Sequence, residues 1–151
     1  MMHSLHQGDV EVSTDNTRLD VHLIHEFLSQ SYWASDIPFD IVERSLRNSL
    51  NFGAYFGAQQ IGFARVISDR ATYAYVADVF VLEQFRGKGI GKLLMRTVVT
   101  HPELQGLRRW SLLTRDAHGL YRQVGFTEPK YPERYMEISN PDIYKSAKKN
   151  R

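Results

Sequence analysis

The chain has no cysteine in its 151 residues. That excludes disulfides, thiolate metal sites and an acyl-cysteine intermediate. It also lacks an early stretch with the apolar core of a signal peptide, and no apolar run is long enough to span a bilayer. A cytoplasmic location with no membrane partner is the expectation. An excess of one charge is missing too: 19 basic residues face 17 acidic ones, a net charge of +2. Four of the basic residues, Lys145, Lys148, Lys149 and Arg151, fall in the last seven positions, and without them the balance is 15 against 17. The body is therefore not basic, and no nucleic-acid partner is expected. No metal is expected either. His22 and His25 sit one helical turn apart, but no second ligand cluster completes a site.

Hydrophobic residues make up 42% of the chain and charged residues 24%, enough apolar content for a real core. The length fits one domain, 1–151, with its core at about 10–138 and a basic tail at 139–151. Residues 1–9 read as a loose start. Val10–Ser13 alternates as a first strand. Leu19, Leu23, Phe27 and Leu28 form a helical stripe. Ser31–Pro38 reads as a loop. Ile41, Val42, Leu46 and Leu50 mark a second helix, with Asp40 as N-cap and Glu43 closing a capping box. Strands follow at Phe52–Gly57, Ile61–Ser68 and Thr72–Leu82, joined by tight turns as an antiparallel meander.

The chain is organised around Asp78–Met95. An apolar strand, Val79-Phe80-Val81-Leu82, leads to Arg86-Gly87-Lys88-Gly89-Ile90-Gly91, after which Ile90, Leu93, Leu94 and Val98 take helical spacing. The glycines let the backbone adopt φ > 0 and let a ligand approach the amides closely. The first N–H groups of the helix have no internal partner, and with the positive dipole end they form a phosphate site. Arg86, Lys88 and Lys92 add charge. The Walker pattern fails, because Leu93 follows Gly91-Lys92 and no glycine lies five residues before Gly91. The dinucleotide fingerprint fails as well, since the spacing is G-x-G-x-G.

Beyond this turn the helix stops near His101-Pro102. Arg109–Thr114 reads as a strand parallel to the one before the glycines. Asp116 then opens a short helix carrying Ala117, Leu120, Tyr121 and Val124 on one face, closed by Gly125. Further strands are expected from Phe126 and at Tyr135–Ile138.

The run Arg86–Gly91, preceded by a D-x-F-V strand, resembles the pyrophosphate-binding signature (Q/R)-x-x-G-x-(G/A) of the GNAT superfamily of N-acetyltransferases. Asp116–Phe126, DAHGLYRQVGF, resembles the second signature of that family. The element order β-α-α-β-β-β-α-β-α-β-β matches as well. The resemblance implies an α+β fold with a mixed, mostly antiparallel sheet and helices on both faces. It implies acetyl-CoA as acyl donor and a primary amine of a small molecule or peptide as acceptor, joined by direct attack in a ternary complex. The diphosphate would be held by Arg86, Gly87, Lys88, Gly89, Ile90, Gly91 and Lys92. The pantetheine arm would follow Val79, Phe80 and Val81, along a splayed strand that needs a bulge, with Asp116 as a further contact; plain helix capping is the equal alternative for Asp116. Homodimers are common among such proteins.

Acyl transfer from a thioester to an amine needs a base, donors for the oxyanion and help for the leaving thiolate. Tyr121 is the candidate donor to the thiolate; its alternative is a ring packed on the helix face. Asp78, which interrupts an apolar strand, is the candidate base, against a purely structural role. Asp36, His25, His118, Glu26 and a water chain are weaker candidates. The acceptor pocket would use the Ser31–Phe39 loop with Tyr55, Tyr73 and Tyr75. Tyr32, Trp33 and Phe39 beside Asp36 would favour an organic cation, whereas Arg65 or Arg134 would select an acid-bearing amine. A non-catalytic acyl-CoA-sensing module is the alternative to the enzyme.

Overall fold

Period-two alternation and period-3.6 stripes resolve into ten elements in the computed structural model, which describes residues 2–145. They are β1 (Ser4–Gln7), β2 (Val10–Ser13), α1 (Val21–Ser29), α2 (Phe39–Arg47), β3 (Leu50–Phe56), β4 (Gln59–Ser68), β5 (Tyr73–Val81), α3 (Ile90–Val99), β6 (Arg109–Leu112) and α4 (His118–Arg122). The six strands lie side by side in chain order. The pairs from β1 through β5 are antiparallel: short turns join β1 to β2, β3 to β4 and β4 to β5, while α1 and α2 connect β2 to β3. β6 is parallel to β5, since the chain crosses over through α3 between them.

Each face of the sheet is covered by helices. On one face Phe52, Ile61, Val66 and Val76 pack against Ile90, Leu93, Leu94 and Val98 of α3. On the other, Phe63 and Phe80 pack against Ile24 and Leu28 of α1 and Val42 and Leu46 of α2. Phe27 of α1 stacks on Phe80 with ring centroids 4.0 Å apart and planes within 9°. Such aromatic pairs add about 0.5–1.5 kcal/mol beyond their buried area.

A bulge in β5 decides which residues reach which face. Phe63 pairs with Phe80 and Arg65 with Ala77, so Asp78 and Val79 together oppose Ala64. Asp78 sits at the kink with φ 54°, in the left-handed region that Asp tolerates better than most residues. The extra residue switches the face parity of the strand. Ala74 and Val76 before it, and Val79 and Val81 after it, all serve the α3 face, while Phe80 serves the α1–α2 face.

The mixed α+β architecture is the expected one, with several departures. Ser4–Gln7 is a strand rather than a loose start, and it pairs with β2. Its mostly exposed polar side chains gave no apolar signal. Asp40 does not cap α2. The N-cap is Pro38, which has no side-chain cap bond, and Asp40 lies in the first turn. Nor does Asp116 cap α4, whose N-cap is Ala117; the Ala117 N–H goes instead to Thr114 Oγ1 at 3.0 Å. Neither Phe126 nor Tyr135–Ile138 lies in a strand; between β6 and residue 142 the elements are α4 and a 3-10 turn at Pro132–Arg134, and residues 143–145 are helical. A strand needs a neighbouring strand to pair with, and these segments pair with none among the described residues. Of the expected tail, residues 146–151 lie outside the described residues.

Candidate active site

β5 and β6 pair from Tyr73/Arg109 to Val76/Leu112 and no further. From Ala77 to Val81 the edge of β5 that faces away from β4 is therefore open, next to the bulge. A splay between strands at this place is the one expected from the sequence. Val79, Phe80 and Val81 all lie on it. The Val81 carbonyl accepts a bond from Arg86 Nε at 3.0 Å, which folds that arginine back over the end of the strand.

A 3-10 turn, Glu83–Phe85, carries the chain from β5 into the glycine turn. Gly87 and Gly89 have φ 77° and 80°. Gly89 is the N-cap of α3 in left-handed conformation, with no side-chain cap. The first helical bond runs from Leu93 N–H to the Gly89 carbonyl at 3.1 Å. The N–H groups of Ile90, Gly91 and Lys92 are thus left without intrahelical acceptors. Nothing lies within 4 Å of a Cβ built on Gly87, so the turn is open for a ligand. The residues present fit a diphosphate: free amides, a helix N-terminus, and Lys88 and Lys92 beside it. Sequence reasoning missed Gln7 of β1. Its Oε1 accepts from Arg96 of α3 at 3.2 Å, and its Nε2 lies 3.4 Å from the Cβ position of Gly89.

At the bulge the Asp78 carboxylate is held from two sides. Arg65 Nε donates to Oδ2 at 2.8 Å and Trp33 Nε1 donates to Oδ1 at 2.9 Å. The ion pair is mostly buried, with 16% and 10% of the two side chains exposed. The Trp33 contact ties the loop after α1 to the splayed strand. Tyr32 meets Trp33 edge-on at 5.1 Å, and the guanidinium of Arg115 lies 3.8 Å above the Tyr32 ring. Phe27, Ser31, Tyr32, Trp33 and Arg115 line a cleft of about 410 Å³. Arg115 was not singled out in the sequence, because only the folded chain brings it against the loop after α1.

Tyr121 is buried on α4. Burial pushes its phenol up to about 12, with the Tyr32 hydroxyl and the Asp116 carboxylate adding to the rise. Trp33, next to Tyr32 in the chain, binds Asp78. The loop after α1 thus binds Asp78 through Trp33 and acts electrostatically on Tyr121 through Tyr32. Tyr75 shares in this group: its phenol is raised by burial, then by Tyr73 and Asp78. Other expected pocket residues lie elsewhere. Tyr55 is level with Gln60 at the far end of the sheet from Tyr73, buried beneath Arg18. Phe39 packs on His22 and His25, and His25 Nε2 is engaged with the Ile37 carbonyl at 2.9 Å. Arg134 stacks on Tyr131 in the C-terminal segment. Asp116 is exposed and pairs with Arg115 at 3.5 Å. No group of His, Asp and Glu able to hold a metal occurs among the described residues, and no helix there is long and apolar enough to cross a membrane.

Comparison with known proteins agrees with this fold. The acetyltransferase (GNAT) domain family matches residues 47–128, just over half of the chain. The chain belongs to the GNAT acetyltransferase family. A Gibberella zeae protein named "Putative acetyltransferase" is 33% identical to this acetyltransferase over 138 residues, 76% of this chain and 77% of that protein. A crystal structure of a "putative acetyltransferase belonging to the gnat family" from Xanthomonas campestris pv. campestris shares 55% identity at TM-score 0.87. It covers 89% of this chain and 96% of the other. A GNAT family acetyltransferase from Elizabethkingia anophelis, solved with acetyl-CoA bound, shares the fold at TM-score 0.61 and 17% identity. That match covers 91% of this chain and 92% of the other.

Proposed function

We propose that this acetyltransferase moves an acetyl group from acetyl-CoA to a primary amine of a small molecule or peptide, by direct attack with both substrates bound. The observation that carries this reading is the open edge of β5 running into a glycine turn with free amides. Acetyl-CoA supplies the activated acyl carbon. Ile90, Gly91 and Lys92 offer N–H groups to its diphosphate, with Arg86, Gly87, Lys88 and Gly89 shaping the cradle. Val79, Phe80 and Val81 offer main-chain groups along the arm, and Asp116 stands at the rim.

In the transfer, the amine nitrogen bonds to the acyl carbon and the carbon–sulfur bond breaks. Asp78, directly or through water, takes the amine proton with the lone pairs that Arg65 and Trp33 leave open. Tyr121 hydrogen-bonds the thiolate. With a phenol near 12 against about 8.5 for a thiol, full proton transfer is uphill by roughly 5 kcal/mol. A bond that strengthens as charge develops on sulfur is the supported role. The cleft offers aromatic faces and one guanidinium, which suits an amine with an apolar body and an anionic group.

The test is a free-thiol release assay over a panel of amines. Tyr121→Phe lowers kcat by about 10²-fold and leaves CoA affinity within about twofold. An equal loss in both means that the ring only packs. Binding of CoA with no turnover on any amine, and no effect of Tyr121→Phe, would establish the acyl-CoA-sensing module instead.

A further inference from the structure

We propose that a cavity behind the glycine turn binds a small aromatic carboxylate, and that its occupation weakens the hold of the turn on CoA. The cavity has a volume of about 170 Å³ and lies beside the ends of the first three strands. One wall is a single rung of the sheet: Gln7 of β1 pairs with Val10 of β2, and Val10 with Phe56 of β3. Phe85, Ile90 and Leu93 form the other wall. The lining is almost wholly apolar, and the Phe56 ring is 47% exposed. An apolar cavity of about 150 Å³ holds one benzene ring, so the space here fits a six-membered ring and little more. Phe56 and Phe85, with ring centroids 6.1 Å apart, offer aromatic surface to that ring.

The polar side chains at its rim offer donors only. Lys88 and Gln7 are both exposed there. The Lys88 ammonium stands 5.6 Å from the centre of the Phe85 ring, and it pairs with no carboxylate among the described residues. Arg96 occupies the Oε1 of Gln7 at 3.2 Å, and the Gln7 Nε2 donates to no protein acceptor among the described residues. An anion is therefore the complementary head group, whereas a cation or a further donor would stand unpaired. Occupation reaches the active site through three shared residues. Lys88, Gly89 and Ile90 line the cavity and belong to the turn that holds the diphosphate. A carboxylate that draws Lys88 to the cavity takes one cation from the diphosphate. The effect is reciprocal, so CoA weakens the carboxylate by the same factor. This coupling, unlike the binding itself, rests on the reading of that turn as the CoA site.

Sodium benzoate is titrated into the full chain without CoA and followed by amide NMR. The signals of Gln7, Val10 and Phe56 shift and saturate together. Benzyl alcohol lacks the charge and acetate lacks the ring, and each binds at least about 10-fold more weakly. Val10→Phe fills the cavity and abolishes the benzoate shifts, while CoA affinity stays within about twofold. Phe56→Ala changes a half-exposed position, so it keeps the fold, and it weakens benzoate about fivefold. Saturating benzoate raises the Kd of CoA by at least about fivefold in the wild type. Benzoate that binds no more tightly than acetate, or that binds a folded Val10→Phe as well as the wild type, overturns the site, because an anion on the helix amides alone behaves that way. Benzoate that binds without changing CoA affinity overturns the coupling where Gly89→Val still abolishes CoA binding. Where Gly89→Val leaves CoA affinity unchanged, the placement of CoA on the turn falls, and the coupling with it.

Discussion

Asp78 concentrates the argument at the level of single residues. Its left-handed φ of 54° makes the kink that opens the strand, and its carboxylate takes bonds from Arg65 and Trp33 at once. Substitution to Asn keeps both the conformation, which Asn also tolerates, and the shape. It removes the charge opposite a mostly buried guanidinium. Breaking a buried pair from one side costs about 3–5 kcal/mol, so this partly exposed one costs roughly 2 kcal/mol. If Asp78 is the base, Asp78→Asn also lowers kcat by about 10²-fold or more with little change in CoA affinity. Trp33→Phe removes only the indole donor and retains the ion pair, so its stability loss is smaller, about 1 kcal/mol. Steady-state kinetics and urea unfolding on the two variants separate the roles. A stable Asp78→Asn enzyme with normal kcat would leave the residue a purely structural part. The sequence pointed to Asp78 because a carboxylate interrupts an apolar run. It did not reveal Arg65 and Trp33 as the partners, since those contacts span 13 and 45 residues.

At the level of elements, what was legible was local. Glycines, cations and a following helical stripe specify the turn at Arg86–Gly91 without reference to any other part of the chain, and they appear where expected. The bulge was not legible, because it exists only in the register between β4 and β5. β1 was missed because Leu5 is its one apolar residue, too little to show an alternation. The strand expected at Tyr135–Ile138 has the right residues but joins no ladder among the described residues. Gly89 tests the turn. Its φ of 80° and its place as N-cap make Gly89→Val costly: about 1–2 kcal/mol for a side chain in left-handed backbone, with Gln7 already 3.4 Å from the new Cβ. The bulk also stands over the amides offered to the diphosphate. Calorimetric titration of CoA shows binding lost by at least about 100-fold, roughly 3 kcal/mol, while circular dichroism stays native. Unchanged affinity would move the diphosphate away from this turn.

For the whole molecule, His101 joins parts that are distant in the chain. It is fully buried after α3, with its ring 5.3 Å from His3 before β1 and 5.7 Å from Phe52 of β3. Nδ1 accepts the Glu103 N–H at 3.1 Å, which makes Nε2 the protonated nitrogen of a neutral ring, and Nε2 has no partner. Burial, then His3, lowers its pKa below the ordinary value of 6.5, with Arg70 adding slightly and Glu103 opposing. The unfolded chain therefore takes up a proton near pH 6.5 that the folded chain still refuses. Stability is fully present above that pH and falls as pH drops toward the folded pKa, by at most about 1.4 kcal/mol per pH unit. Asp15, Asp69 and Glu128 are all held below their usual range by hydrogen bonds, so their contribution is lost only at lower pH. The interval from pH 6.5 to 5 thus isolates the histidine. His101→Leu leaves the Glu103 N–H without its acceptor and is less stable at pH 7 by about 1 kcal/mol, but its urea midpoint stays flatter across that interval than the wild-type midpoint. Parallel curves for the two proteins would mean that this buried ring does not govern how the N-terminal strand and the core come apart in acid.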